Sequence, residues 1–356
     1  MTDEDTAFLR RLYRRAEQCE RLDAWRTEFR YIHGEIDRKK KIDQEKLFGL
    51  LGVEDPGADL ERLVFALEAF VILRLTIRAF SVGSSLGLPP IDLKDAASLV
   101  AQIRLVAEGR IRGDGGLHLT VGDSHAWVME ELESHSDHVL RLAQLESEQT
   151  SKALDHAPID WFATEYQELF PRELRHALGA YYTPLWLAEF VLSAMDISVE
   201  GLVSGDRALD PTCGSGVFLV ALARRIWSAS KEGRIGADAP QLLMRSASGM
   251  DLSALAVAGA RCNVVIAAAS LARAVGLKGV ELSSPRVFHT NSLTTDLGQR
   301  LGQFEFIIGN PPWVNWEYLP PQYRSDTAKL WPEMGLFDLE GRERAFSKED
   351  ISGLFL

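Results

Sequence analysis

Cysteine is scarce in this sequence, and the scarcity limits what can hold the chain together. Cys19, Cys213 and Cys262 lie far apart among 356 residues, too few and too dispersed for a disulfide framework or a cysteine-based zinc site. A reducing, cytoplasmic setting is expected. No run of about 20 apolar residues stands out and the N-terminus opens on charged residues, so neither a membrane span nor a secretory leader is expected. Internal repeats and low-complexity segments are lacking, as is any metal-binding or nuclease-like carboxylate pattern in the first half. Basic residues are in deficit: 39 Lys and Arg stand against 51 Asp and Glu, a formal net charge of −12. Phosphate backbones are bound by cations, so a nucleic-acid role needs a local basic face or a partner.

What is present is apolar material, 46% of residues, enough for roughly two domains with cores. From Asp5 to about Tyr31, Phe8, Leu9, Leu12, Tyr13 and Ala16 recur at helical spacing. Arg10, Arg11, Arg14 and Arg15 occupy the other face; they read as a solvated face paired with acids, although phosphate contact is the alternative. Further helices are expected over Leu60–Ala79, Leu93–Ala107 and Asp123–Leu145. The stretch Leu63–Ile77, the most apolar helical run, reads as a core helix although Glu68 and Arg74 interrupt it. Breakers such as Leu88-Pro89-Pro90 and Gly113-Asp114-Gly115-Gly116 separate these segments. A mainly helical domain is thus expected over 1–150 and a second domain over 151–356, led in by helices at Ile159–Leu169 and Arg172–Leu178.

After Asp206 short apolar strands alternate with helices: Arg207–Asp210, Ser248–Asp251, Val287–Thr290 and Phe304–Ile308, with Val217–Ala229 and Ala254–Ala268 helical between them. Such alternation builds a parallel sheet with helices on both faces, an α/β fold. The first strand runs into Asp210-Pro211-Thr212-Cys213-Gly214-Ser215-Gly216, where glycines allow a tight turn and close backbone approach to a bound molecule. Asp210 would repel phosphate, so the turn suits a nucleoside cofactor better than a phosphate. Asp251 ends the next strand on the same sheet edge, where a carboxylate can accept both ribose hydroxyls; simple capping of the following helix is the plainer reading. Asn291, after the third strand, could meet an adenine ring through its amide. Upstream, Gly179-Ala180-Tyr181-Tyr182-Thr183-Pro184 opens a helix that Thr183 could cap, with exposed N–H groups to receive a carboxylate.

The fourth strand delivers Asn310-Pro311-Pro312-Trp313. The Asn310 side-chain carbonyl and the Pro311 backbone carbonyl are two acceptors that can converge on one exocyclic amine and direct its nitrogen lone pair toward an electrophile. Pro312 stiffens the turn, and Trp313 offers a face on which a flipped base can stack. Trp316 and Tyr318 could line the same pocket, with core packing the favoured reading. Ending a strand is the plainer use of Asn-Pro-Pro.

The order Tyr181-Tyr182-Thr183-Pro184, Asp210-Pro211-Thr212-Cys213-Gly214-Ser215-Gly216, Asp251 and Asn310-Pro311-Pro312-Trp313 resembles that of adenine-specific N6 DNA methyltransferases, in particular the helical-prefixed class of restriction-modification and phage-defence systems. The resemblance spans about residues 170–320. It implies a Rossmann-like class I methyltransferase sheet and S-adenosylmethionine as cofactor. It assigns Tyr182, Thr183 and Pro184 to the methionine part, Asp210, Cys213, Gly214 and Gly216 to the turn beneath the cofactor, Asp251 to ribose and Asn291 to the adenine. Asn310, Pro311, Pro312 and Trp313 are assigned to the target adenine. Where many of the family carry an aspartate after the third strand, this chain has Asn291-Ser292-Leu293. The family sheet has seven strands and four are seen, and a target-recognition region is also unseen. The sheet is therefore expected to be incomplete at the C-terminus, with a second polypeptide supplying the missing strands and the DNA recognition. A catalytically incomplete binding subunit and a protein glutamine N5-methyltransferase are the alternatives.

Overall fold

The structure, a computed structural model, describes residues 2–36, 44–50, 59–113, 115–119, 125–178, 182–295, 301–336 and 349–355. The first half is helical: α1 (Asp3–Ala16), α2 (Leu22–His33), α3 (Gln44–Leu50), α4 (Leu60–Val82), α5 (Ala96–Ala107) and α6 (Ser136–Ala153). The pattern expected to run on to Tyr31 breaks after Ala16. The chain turns there through i to i+3 bonds, Cys19 N–H to Ala16 O and Leu22 N–H to Cys19 O. The new axis lets Trp25 bury against Phe65 of α4, ring centroids 5.0 Å apart. Among the described residues the α-helix expected there begins only at Ser136: two 3₁₀ turns, Ala126–Glu130 and Glu133–His135, precede α6, and Trp127 of the first stacks on Phe65 at 5.0 Å. Helix α6 then continues through residue 150 to Ala153.

Helix α4 is apolar around its circumference, which requires neighbours on all sides, and almost every residue of it is buried. Its charges are paired internally. Arg74 Nε lies 2.8 Å from Glu146 and 2.9 Å from Glu165, and Arg78 pairs with the same two carboxylates. Two cations against two anions meet the condition under which buried charge is tolerated. Of the four arginines of α1, Arg11 and Arg15 pair with Glu131 at 3.1 and 2.9 Å, in keeping with a solvated, acid-paired face.

The second half follows as α7 (Trp161–Leu169), α8 (Arg172–Leu178), α9 (Leu185–Ala194), α10 (Val199–Ser204), β1 (Ala208–Asp210), α11 (Val217–Lys231), α12 (Ala239–Ser246), β2 (Ala247–Asp251), α13 (Ala254–Ala274), β3 (Arg286–His289) and β4 (Phe306–Ile307). The sheet order is β3-β2-β1-β4, all parallel, with Leu209 opposite Ser248 on one side and Ile307 on the other. This is a Rossmann-like sheet of the class I methyltransferase kind behind a helical region. Helices α11, α12 and α13 touch one another and form one layer on the sheet. By register, Leu209, Ser248, Met250 and Ile307 share the opposite face, and Ile307 is 60% exposed. Helix α13 corrects the expectation about apolar runs: at 21 residues it is long and apolar enough to cross a membrane. It is enclosed instead, packed between α4 and α11, which is how an all-apolar helix sits in a globular core.

A small cluster built on Trp316, Tyr323, Trp331 and Leu354 follows the sheet and takes in Tyr31 of α2. Trp316 is therefore core, as favoured, whereas Tyr318 is 59% exposed. The strand order reverses between β1 and β4, and a crevice opens at the carboxyl ends of the strands there, the usual ligand position in open α/β sheets.

Candidate active site

β1 ends on Asp210 and the chain turns through 211–216 into α11. Gly214 and Gly216 both have positive φ, 50° and 78°, a backbone that side-chain-bearing residues adopt at a cost. Gly216 is also needed for space, since a Cβ would lie 3.0 Å from Ala260 Cβ of α13. Cys213 turns inward: its thiol is buried, its N–H donates to Met250 O and its carbonyl accepts Gly216 N–H, both at 2.7 Å. Cys213 and Gly216 thus shape the turn, while Gly214 faces the crevice.

The Asp210 carboxylate is buried, and its Oδ1 accepts Thr212 N–H at 3.0 Å. Burial, helped by the neighbouring Asp251 charge, pushes this carboxyl up to about 8. Gly309 makes room for it, because a Cβ there would lie 2.7 Å from Asp210 Oδ1. Asp251 binds the turn from the next strand: Oδ2 accepts Gly214 N–H at 2.9 Å and Oδ1 accepts Ser253 N–H at 2.8 Å. Capping of α13 falls to Ser253, whose side chain accepts Ala256 N–H. Each Asp251 oxygen keeps a further acceptor site toward the crevice, and burial raises this carboxyl too. Asn291 Oδ1 accepts Leu293 N–H at 3.0 Å and its side chain also hydrogen-bonds Tyr31, so only part of the amide remains to meet a ring nitrogen.

Tyr182 packs edge-on against Phe162 and Tyr166; Gly179, Ala180 and Tyr181 lie outside the described residues. Thr183 does not cap the helix it precedes. Pro184 holds the cap position of α9, so the Thr183 hydroxyl sits one residue too early and instead accepts Asn310 Nδ2 at 3.2 Å. Pro184 itself is exposed at the helix start. Asn310 Oδ1 accepts Trp313 Nε1 at 2.8 Å, and Trp313 is 72% exposed. Asn310, Pro311, Pro312 and Trp313 line a cavity of about 400 Å³ together with Tyr182, Thr212, Gly214, Asp251 and Asn291. A smaller chamber beside it joins Asn310 to Thr183, Asp210 and Gly214.

The helical half supplies a wall of this cavity that sequence reasoning missed: Ile32 and His33 of α2 and Glu68 of α4. Glu68 Oε2 accepts Trp25 Nε1 at 2.8 Å and is 2.9 Å from His125 Nε2. A glutamate in the middle of an otherwise apolar core helix was the available signal. At the far end Tyr323 and Phe355 close the cavity.

A sequence model of the family described as N-6 DNA methylase matches residues 161–348, more than half of the chain. An adenine-specific methyltransferase, PglX of Streptomyces coelicolor, is 26% identical in an alignment covering 42% of this chain and 16% of that protein. The chain therefore spans about a sixth of the length of the curated relative it matches. Among solved structures, the DrdV–DNA complex is similar at TM-score 0.49 and 16% identity, over 98% of this chain and 32% of that one. The type IIL restriction-modification enzyme MmeI in complex with DNA is similar at TM-score 0.47 and 16% identity, over 88% of this chain and 46% of that one.

The residues present fit S-adenosylmethionine. Thr212 Oγ1 is buried at the crevice without a hydrogen-bond partner among the described residues, and the Gly214 backbone is open to close approach. Asp210 offers an anion for an ammonium group and Asp251 acceptors for a ribose diol, while the Asn291 amide suits an adenine. With the family match across the whole sheet and carboxylates at the carboxyl ends of β1 and β2, the chain belongs to the N-6 DNA methylase family, whose cofactor is S-adenosylmethionine.

Proposed function

We propose that this chain transfers a methyl group from S-adenosylmethionine to the N6 amino group of adenine in DNA. The observation that carries the reading is the position of Asn310, whose side chain lines both the chamber of Asp210, Thr183 and Gly214 and the larger cavity with Trp313. An amine held there lies between the cofactor turn and an exposed stacking face. The adenine specificity of the PglX relative supports the same target base.

When bound, S-adenosylmethionine supplies an electrophilic methyl group on a sulfonium. The chain's part is positional. Asp210 would hold the ammonium, Asp251 the ribose and Asn291 the adenine of the cofactor. Asn310 Oδ1 and the Pro311 carbonyl accept the two N–H bonds of the target amine, which leaves its lone pair directed away from them. The Trp313 indole N–H occupies one of the two acceptor sites of Asn310 Oδ1, so the second remains for the amine. The Thr183 hydroxyl fixes the amide plane so that oxygen, not nitrogen, faces the target. Trp313 stacks on the base, a contact worth about 1–3 kcal/mol.

The DNA affinity is proposed to come through a second polypeptide that packs on the outer edge of β4 and supplies further strands and target recognition. Support comes from that edge, which has no strand partner among the described residues, from exposed Ile307 beside it, and from Trp186 and Phe190 of α9, 67% and 64% exposed. Exposed strand edges and contiguous apolar surface are ordinarily covered.

The test is incubation with methyl-labelled cofactor and either duplex DNA or protein, with and without the co-purifying partner. Label in adenine, lost in Asn310→Ala, is expected. Label in protein and none in DNA would move the reading to a glutamine amide, and cofactor binding without transfer to either would leave a binding subunit.

A further inference from the structure

Three buried polar residues outside the proposed chemistry converge on the cofactor turn. Asp160, which caps α7, is 9% exposed, Ser215 is 1% exposed and Asn263 of α13 is fully buried. Ser215 lies between Gly214 and Gly216, and its hydroxyl donates to Asp160 Oδ2 at 2.5 Å. Asn263 Nδ2 donates to Asp160 Oδ1 and to Ser215 O, both at 2.8 Å. Asn263 Oδ1 accepts the N–H groups of Trp161 and Phe162 at 2.9 and 3.2 Å. The groups so joined come from three elements: the turn, α7 with its cap, and α13.

The arrangement addresses a weakness of the turn. Two left-handed glycines flank Ser215, and glycine loses the most backbone freedom on becoming ordered. Holding both the hydroxyl and the carbonyl of Ser215 removes that freedom before any ligand arrives, and preorganisation of this kind is gained directly as affinity. Because α13 follows Asp251, the same asparagine fixes the turn relative to the ribose carboxylate. α7 is seated on α13 without a spacer: a Cβ at Gly259 would lie 2.1 Å from the Phe162 ring. α7 is also bound into the helical half from its first residue to its middle, where the Arg78 guanidinium lies 4.1 Å from the centre of the Trp161 ring and Glu165 accepts Arg78 Nε at 3.0 Å.

We propose that Asp160 and Asn263 are positioning residues for the cofactor turn, and that the helical half acts on S-adenosylmethionine affinity through them. The proposal rests on the cofactor reading above and assigns the helical half a part in it. Burial raises the Asp160 carboxyl, which suits a group held by hydrogen bonds rather than by a cation.

The experiment is calorimetric titration of S-adenosylmethionine into the full chain, with thermal melts of each protein alongside. Ser215→Ala leaves a buried Asp160 oxygen without its donor, so it is expected to lower the melting temperature by a few degrees and, with the turn no longer held before binding, to raise Kd about three- to tenfold. Asn263→Asp sets two carboxylates against each other and is expected to bind more weakly still. The exchange variant Asp160→Asn/Asn263→Asp still lacks a donor for Ser215 O, which Asn263 Nδ2 supplies in the wild type, and is expected to bind no more tightly than Ser215→Ala. Wild-type affinity in both Ser215→Ala and Asn263→Asp would overturn the positioning role while leaving the cofactor reading intact. Absence of binding by the wild-type chain would overturn the cofactor reading and this proposal with it.

Discussion

Replacing Asp210 by Asn exchanges one carboxylate oxygen for an amide nitrogen at the end of β1 and should uncouple cofactor binding from pH. The Asp210 carboxyl is pushed up to about 8 by burial and by Asp251, so at pH 7 it carries about 0.9 proton. An ammonium group placed beside it requires the carboxylate. Wild-type binding should therefore release most of one proton at pH 7, and the association constant should rise with pH toward about 8 and then fall as the ligand's own α-amino group loses its charge. Titration in buffers of differing ionisation enthalpy reads the proton count directly. Asp210→Asn keeps the acceptor for Thr212 N–H, so its fold should survive, but it should bind more weakly and release no proton from this site. The same shift has a stability consequence. A carboxyl raised in the folded state contributes most below its unfolded value near 4, and that contribution is lost as pH climbs through about 8. The Asn variant should then outlast wild type in thermal melts at pH 8 and lose that advantage toward pH 4. Equal binding heats in all buffers for wild type, or the same proton release from Asp210→Asn, would refute the assignment.

Asn310→Ala should lower methyl transfer by about 100-fold or more, the scale of losing one aligned polar contact to a reacting group, with cofactor Kd and melting temperature near wild type; equal loss of transfer and cofactor binding would show a structural role. Trp313→Ala should weaken productive DNA binding by about 10- to 100-fold through lost stacking, whereas Trp313→Phe, which keeps a ring and frees the Asn310 acceptor, should retain most activity in the same kinetic assay. Asp251→Ala removes acceptors for the Gly214 and Ser253 N–H groups as well as for ribose, so a 10-fold or greater loss of cofactor affinity is expected by calorimetry, and unchanged affinity would count against the ribose role.

Much of the sheet could be read because its strands are short apolar runs bounded by Asp, Gly and Pro, and their alternation with helices implies parallel pairing; the return of β4 to pair with β1 is a tertiary choice. The cofactor turn was legible for the same local reason: Gly214 and Gly216 lie within a few residues of Asp210 at the end of the strand before them. The helical half was less so. The break after Ala16 and the 3₁₀ turns before α6 go with Trp25 and Trp127 both burying on Phe65, a choice no local pattern contains. Thr183 looked like a cap because it precedes a helix, yet its hydroxyl serves Asn310, 127 residues away. Glu68 looked like an interruption of a core helix until the fold brought it to the cavity wall.

What the sequence determined by itself is the set of local conformations and the chemical inventory: strand, glycine turn and helix after Asp206, a carboxylate at the end of each of two strands, and an Asn-Pro-Pro-Trp peptide after a fourth. These depend on side-chain type and backbone permission at neighbouring positions, which a linear text records. The tertiary structure alone decided which groups are spent and which remain available. It turned Cys213 inward, gave Asn310 two partners, raised the Asp210 carboxyl by removing it from water, and tied Ser215 to Asp160 and Asn263. Burial and hydrogen-bond pairing between residues far apart in the chain are properties of the packed whole, so they emerge only when the chain has folded.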